Sequence, residues 1–340
     1  MSSTQGPIKI GQIGIGHNHA SQKMDTLRAL PDLFEVVGVV EEDPRWFAER
    51  GGLAAYAGLP WMSERELLAT PGLAAVAVET DGFDLIPTAQ RCLDAGVHLH
   101  LDKPGGESYP DFERMIETAR AKDLVVQLGY MYRSNAAVAF CVEAVRQGWL
   151  GTVFEVHAEM NRGHTEDYRH WLGQFAGGAM YIFGSHLVDL VVWLLGEPDR
   201  VTPFLRATRA EQPGILDNGF AVMEYPHTTV SVRSSIAEEG GYPRRQFTVV
   251  GNAGSIEIRP LEPPALTMIL DEDRGGYAAG THEIRFEPPS DRYAVQLTEL
   301  ARAIRGEIAN PFDLDHELRT QRSVLASCGL EVPTAAGSTR

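Results

Sequence analysis

Along the first 130 residues, short β-branched apolar runs alternate with stretches of helical spacing. The runs are Ile8–Ile15, Phe34–Val40, Leu73–Val78, Val97–Leu101 and Leu124–Leu128, compact and near-continuously apolar as strands buried on both faces are. Between them, apolar residues recur at helical intervals through Met24, Leu27 and Leu30, over Ile86–Ala95 and over Asp111–Lys122, and a further helix is expected after Pro44. Strands alternating with helices predict a parallel, doubly wound α/β sheet. Past Gly129 the rhythm changes. Phe154–Met160, Phe204–Thr208, Phe220–Tyr225, Thr229–Ile236, Phe247–Val250, Ser255–Ile258 and Glu283–Phe286 read as strands, separated by the Gly, Pro, Asn and Asp that turns require. Helices are predicted at 137–147, 184–195, 293–305 and 315–328. The expected organisation is a first domain over 7–129, a second over 130–330 and a tail over 331–340, with no repeat or flexible linker between.

Composition narrows the class. The chain has 340 residues, 44% hydrophobic and 22% charged, enough for two cores. A formal net charge of −16 opposes nucleic-acid and anionic-membrane binding, which need clustered cations. No apolar run approaches the ~20 residues that span a bilayer, and the polar start, Met1–Pro7, predicts no signal peptide. Cys92, Cys141 and Cys328 are odd in number and widely spaced, as packed, reduced thiols of a cytoplasmic protein are.

The predicted strand ends carry the chemistry. Gly14-Ile15-Gly16-His17-Asn18 follows the first strand, a turn suited to laying a pyrophosphate on a helix N-terminus. His19 stands where the pattern has its third glycine. The second strand ends at Glu41, whose carboxylate suits the two ribose hydroxyls and repels a 2′-phosphate, favouring NAD over NADP. Thr80, Lys103 and Tyr130 fall at the ends of later strands, where open parallel sheets bind ligands. Lys103 is one of four lysines beside twenty-six arginines, and an amine, unlike a guanidinium, is readily tuned by burial.

Ala95-Gly96-Val97-His98-Leu99-His100-Leu101-Asp102-Lys103-Pro104, the Gly14-x-Gly16 turn, Glu41, Gly129-Tyr130-Met131-Tyr132-Arg133 and Gly177-Gly178 with Gly184-Ser185-His186-Leu187-Val188-Asp189 together resemble the Gfo/Idh/MocA family. Asp102 stands for the usual Glu of that family's Glu-Lys-Pro segment. The resemblance covers Lys9 to about Leu330. It implies a Rossmann domain followed by an α+β domain with a large, mainly antiparallel open sheet, and homo-oligomers, dimers or tetramers. It further implies that Lys103 and His186 share the proton of a substrate hydroxyl while nicotinamide takes the hydride. Asp189, three residues after His186, is expected to orient the imidazole, and a cis Lys103–Pro104 bond to aim the lysine.

The family commonly has Asp four residues before the histidine; here it is Ile182. Three readings follow: a dehydrogenase of a secondary alcohol in a sugar, polyol or sugar derivative; an enzyme that cleaves glycosides by transient oxidation, elimination and re-reduction; and a non-enzymatic NAD sensor. Candidate substrate contacts are Tyr130, Tyr132, Arg133, Arg162, His164, Trp171 and Asp189, with Arg169 also in the polar, aromatic stretch 160–171 and Tyr181 a possible stand-in for the absent acid. The spacing of His157, His164, His170 and His186 matches no zinc pattern, and no metal is expected.

Overall fold

The computed structural model describes residues 6–333; residues 1–5 and most of the predicted tail, 334–340, lie outside the described residues. Two compact units form. In the first, β1 (Ile8–Ile13), β2 (Phe34–Val40), β3 (Ala75–Val78), β4 (His98–Leu101) and β5 (Val126–Leu128) make one all-parallel sheet in the order β2-β1-β3-β4-β5. The crossovers contain α1 (Ala20–Ala29), α2 (Pro44–Arg50), α3 (Glu64–Leu68), α4 (Leu85–Asp94) and α5 (Tyr109–Ala121). One face of the sheet packs Val76, Val78, Leu99 and Leu101 against Ile86, Leu93, Phe112 and Ile116. The other packs Ile8, Ile10 and Phe34 against Leu27, Leu297 and Leu300. Each buried aliphatic side chain contributes roughly 1.5–3 kcal/mol.

The last group contains a correction to the expected division. The helix over Ala294–Ile304 belongs to the first unit, which comprises the chain through Tyr130 and Ser290–Leu318. Its apolar stripe, Leu297, Leu300 and Ala301, completes the second face of the parallel sheet.

The second unit is built on eight strands: β6 (Val153–Asn161), β7 (Arg200–Arg206), β8 (Asn218–Glu224), β9 (Thr229–Ser235), β10 (Gln246–Gly251), β11 (Gly254–Ile258), β12 (Ala265–Leu270) and β13 (Gly280–Arg285). Their order is β13-β12-β11-β10-β6-β9-β8-β7, antiparallel except for β6 beside β9. Alternate residues such as Val156, Val232, Met223 and Val249 are buried. α6 (Ala136–Arg146) and α8 (Ser185–Leu195) pack on this sheet. On the opposite parity Phe204 and Phe220, direct partners across β7 and β8, are 45% and 36% exposed. Two short elements escape periodicity: α3, held by a Ser63/Glu66 capping box, and α7 (Glu166–Leu172), capped by Thr165. Helices this short depend on caps and tertiary contacts. β12 is also missed, because Pro263-Pro264 directly precede it and mask its alternation. The remaining helices are α9, over Ala294–Ile304, and α10 (Leu314–Ser327). No described helix is long and apolar enough to cross a membrane, and the three cysteines are buried thiols.

The carboxyl ends of β3 and β4 are tied to α1 by one ammonium. Lys23 Nζ lies 2.7 Å from Glu79 Oε1 and 2.7 Å from Asp102 Oδ1, and all three residues are fully buried. Gly129 makes room for it: a Cβ there would stand 2.9 Å from Lys23 Nζ. Removing one member of a buried ionic group strands its partners in low dielectric. Lys23→Met is therefore expected to lower unfolding free energy by about 3–5 kcal/mol, to be read from urea denaturation at neutral pH.

Candidate active site

β1 and β3 are the strands between which the sheet order reverses, where doubly wound sheets open a crevice. β1 runs into Gly14, with φ +88°, a left-handed conformation that glycine tolerates. A Cβ on Gly14 would meet the Thr80 backbone at 2.5 Å, so the two strand ends touch through bare main chain. At the end of β2, Glu41 Oε2 accepts from Ile15 N and Oε1 from Asp43 N, both at 2.8 Å. Each oxygen keeps a further lone pair for a ligand hydroxyl. Asp43 in turn caps α2 at Arg45 N, with Pro44 in the first turn.

From the end of α2, Arg50 staples the glycine turn. Its Nη1 donates to the carbonyls of Ile15 (3.3 Å), Gly16 (2.7 Å) and His17 (2.9 Å), and Nη2 to Asn18 Oδ1 (3.2 Å). Its guanidinium lies over Trp46 at 4.6 Å, and a Cβ on Gly16 would meet Trp46 Nε1 at 2.7 Å. Nothing in the sequence marks Arg50 for this role. The cleft here is lined by Gly14, Val40, Glu41, Asp43, Trp46 and Thr80, and Thr80 Oγ1 is buried without a partner among the described residues. A glycine turn at the first strand end, an acid at the second and an unpartnered hydroxyl at the third fit a dinucleotide. The predicted Gly14, Ile15, Gly16, Glu41 and Thr80 are thus brought together, with Asn18 at the rim.

Beside this cleft the charged cluster continues. His17 Nδ1 lies 2.6 Å from Asp102 Oδ2, and His19 Nδ1 3.5 Å from Oδ1. Burial favours a neutral Asp102, but His17 and Lys23 outweigh it and hold the carboxyl well below its usual range. Burial pushes Glu79 up to about 8 despite Lys23, and lowers His19 to about 3. His17, His19 and Asp102 bring ligand atoms within 4.8 Å of one another. The Lys23 ammonium already takes the cation's place beside Asp102. Lys103, 5% exposed, follows, joined to Pro104 by a cis bond, as expected. Burial brings its amine down to about 8; Lys23 adds to this, while Asp102 and Glu79 oppose it. Tyr130 ends the row, its carbonyl accepting from Gln296 at 2.7 Å.

In the second unit, Gly177 and Gly178 are packing requirements. A Cβ on Gly177 would meet Cys328 Sγ at 2.4 Å; one on Gly178, at φ +51°, would meet Leu216 O at 2.1 Å. A π-helical turn, Met180–Gly184, containing buried Tyr181 and Ile182, then delivers His186 to the first turn of α8. Such turns recur at functional sites. The His186 ring meets the Tyr132 ring edge-on, 5.5 Å between centroids.

Arg133 and Asp189 are expected from sequence to contact substrate, and the structure makes them partners of each other. Arg133 Nη2 lies 2.6 Å from Asp189 Oδ1 and Nε 3.0 Å from Oδ2, both residues buried. Arg169, expected to bind substrate, is likewise a structural arginine, its Nη1 2.5 Å from buried Asp217 Oδ2. His164 stacks on Tyr168 at 4.1 Å and leans on Phe183, and Trp171 lies 5.1 Å from Tyr168, while Arg162 is exposed at the strand end. His157 is taken up by Ser231 and Glu155, and His170 by the Glu166 carbonyl.

Comparison with known proteins agrees with this architecture. The model of the oxidoreductase family with an NAD-binding Rossmann fold matches residues 8–130, and that of the GFO/IDH/MocA C-terminal domain matches residues 139–257. An uncharacterized oxidoreductase of Schizosaccharomyces pombe is 27% identical over 313 residues, covering 88% of this chain and 83% of that protein. The dTDP-3,4-didehydro-2,6-dideoxy-alpha-D-glucose 3-reductase of Streptomyces violaceoruber is 27% identical over 268 residues, covering 78% and 75%. The crystal structure of the WlbA dehydrogenase from Bordetella pertussis, in complex with NADH and UDP-GlcNAcA, shares the fold, with a TM-score of 0.78 at 18% identity over 96% of this chain and 97% of that one. With a glycine turn, a strand-end acid and two matched domains of one family in sequence, the chain belongs to the Gfo/Idh/MocA family of NAD-binding oxidoreductases.

Proposed function

We propose that this oxidoreductase is NAD-dependent and moves a hydride between nicotinamide and a secondary alcohol of a sugar, polyol or sugar derivative, with Lys103 and His186 handling the hydroxyl proton. The observation that carries the reading is the Lys103 amine, buried at the end of β4 and brought to about 8. A lysine in that range is neutral often enough near physiological pH to accept a proton, and a general base works best there. Lys23 fixes Asp102 and so the backbone from which Lys103 projects. His186, set in the first turn of α8 and braced by Tyr132, supplies a second site for the same proton. Nicotinamide, when bound, supplies the hydride acceptor. Glu41, Glu42, Asp43 and Asp81 ring the nucleotide cleft. Arg91, which lines the cleft, is held by Glu64, and nearby Arg45 is paired with Asp43 and Asp81. A 2′-phosphate would meet mostly negative charge, which supports NAD over NADP.

Ile182 favours one second reading. Without the usual acid, the oxidised substrate eliminates a glycosidic substituent and is re-reduced, leaving no net NADH. Incubation with NAD⁺ and a panel of polyols, sugars, sugar acids and glycosides separates the two: accumulating NADH supports the dehydrogenase, and cleaved glycoside without NADH supports the alternative. Silence with NAD bound would leave a substrate outside the panel or a sensor.

Three further outcomes are expected. Lys103→Ala should lower kcat by about 10²–10⁴ while calorimetric NAD affinity stays within about threefold; unchanged turnover would refute the assignment. Because the base is the neutral amine, kcat/KM for alcohol oxidation in the wild type should rise with pH and level off above about 8. Arg50→Ala removes the charge-assisted bonds that shape the glycine turn and should weaken NAD binding roughly 10- to 100-fold, measured by fluorescence titration.

A further inference from the structure

Three arginines of the second unit are buried: Arg133, Arg169 and Arg245. Two have carboxylates, Asp189 at 2.6 Å and Asp217 at 2.5 Å. Arg245, 6% exposed just before β10, has none within ion-pair distance among the described residues. Its Nε donates to the Asn161 carbonyl at 3.4 Å and its Nη1 to the Tyr132 hydroxyl at 3.5 Å, both long and neutral. The guanidinium also lies 4.3 Å from the centre of the Tyr242 ring. Five N–H donors are thus served by two weak acceptors, and a buried cation without a counter-charge is strongly unfavourable.

The acids in this region are engaged elsewhere. Glu238 pairs with Arg233 and Arg244, and Glu262 accepts from the Tyr242 hydroxyl. Burial lowers the His164 imidazole to about 4, with the charges of Arg162 and Arg245 adding to the effect, while Tyr132 feels the charge of Glu262 as well as that of Arg245. Tyr132 connects the place to the candidate chemistry: its hydroxyl meets Arg245 and its ring meets His186. Asn161 Oδ1, buried and unpartnered among the described residues, adds an acceptor for a neighbouring hydroxyl.

We propose that Arg245 is the anion-binding residue of the substrate site, and that the substrate is a hydroxylated small molecule bearing a carboxylate or a phosphate ester, held one tyrosine away from His186. The inference deepens the oxidoreductase reading and rests on it for the identity of the reacting carbon. Arg245 supplies the planar, two-pronged donor that such oxyanions fit.

The test is calorimetric binding to the NAD⁺-saturated protein, using D-glucose, D-glucuronate and D-glucose 6-phosphate as matched probes. Wild type should bind one anionic probe at least about 30-fold more tightly than glucose, the low end for a buried, hydrogen-bonded charge pair. Which probe gains distinguishes carboxylate from phosphate. Arg245→Gln should abolish the preference, and Arg245→Lys should retain part of it, with NAD affinity and melting temperature little changed in both. Equal binding of all three probes, a preference that survives Arg245→Gln, or an Arg245→Gln protein that cannot fold would each overturn the proposal. NADH formation, followed separately, keeps the two readings apart. An Arg245-dependent preference without turnover counts against the dehydrogenase, and turnover of neutral sugars without any preference counts against the anion site.

Discussion

The nucleotide-binding unit depends on two carboxylates that cannot be left alone in its interior. Glu79 and Asp102 end adjacent parallel strands with no access to water, and each would be costly there as an isolated charge. One ammonium from the neighbouring helix serves both at 2.7 Å. Because its partners sit on different strands, Lys23 fixes the relative height of β3, β4 and α1. The glycine turn precedes that helix, and the tuned lysine follows the second of those acids. A displacement of the ammonium would therefore reach both the cleft at the glycine turn and the buried Lys103 amine. Gly129 belongs to the same constraint, since only a bare Cα leaves the ammonium its space.

Shape around the cleft is set largely by groups that face the protein rather than the ligand. Glu41 spends one lone pair of each oxygen on the backbone of its own cleft, and Arg50 spends its donors on three successive carbonyls of the turn. The glycine turn is thus ordered by the protein itself, and such preorganisation lowers the entropy lost on association. In the second unit the paired Gly177 and Gly178 and the π-helical turn do the corresponding work for His186, by close approach of main chain to Leu216 and Cys328.

Much of this was readable from the residues in order. Strand ends were legible because buried parallel strands are short, continuous apolar runs; Gly14 and Glu41 follow one directly, and Thr80 and Lys103 come one residue later, after Glu79 and Asp102. The large sheet was legible in all but β12, whose alternation starts only after two prolines. The pairings of charge were not. Arg169 and Arg245 sit in equally polar, aromatic surroundings in sequence, yet one is neutralised by Asp217, forty-eight positions away, and the other by nothing described. Arg133 and Asp189 looked like ligand contacts for the same reason: a local string shows a charge and hides its distant partner. Arg50 shows the converse, an unremarked helix-end arginine whose targets lie more than thirty residues upstream.

The return of α9 to the first unit has a consequence for how the chain is made. Tyr293, Leu297, Leu300 and Ala301 fill the face of the parallel sheet that carries Ile8, Ile10 and Phe34. During synthesis, the opening 130 residues leave the ribosome long before the side chains that cover them. The whole strand-rich unit up to Pro289 is translated in between. The nucleotide-binding unit thus waits, with one apolar face uncovered, for a helix that begins only at Ala294. A gene fragment cut at Tyr130 would encode every residue of the glycine turn and the lysine, but not a finished core to hold them.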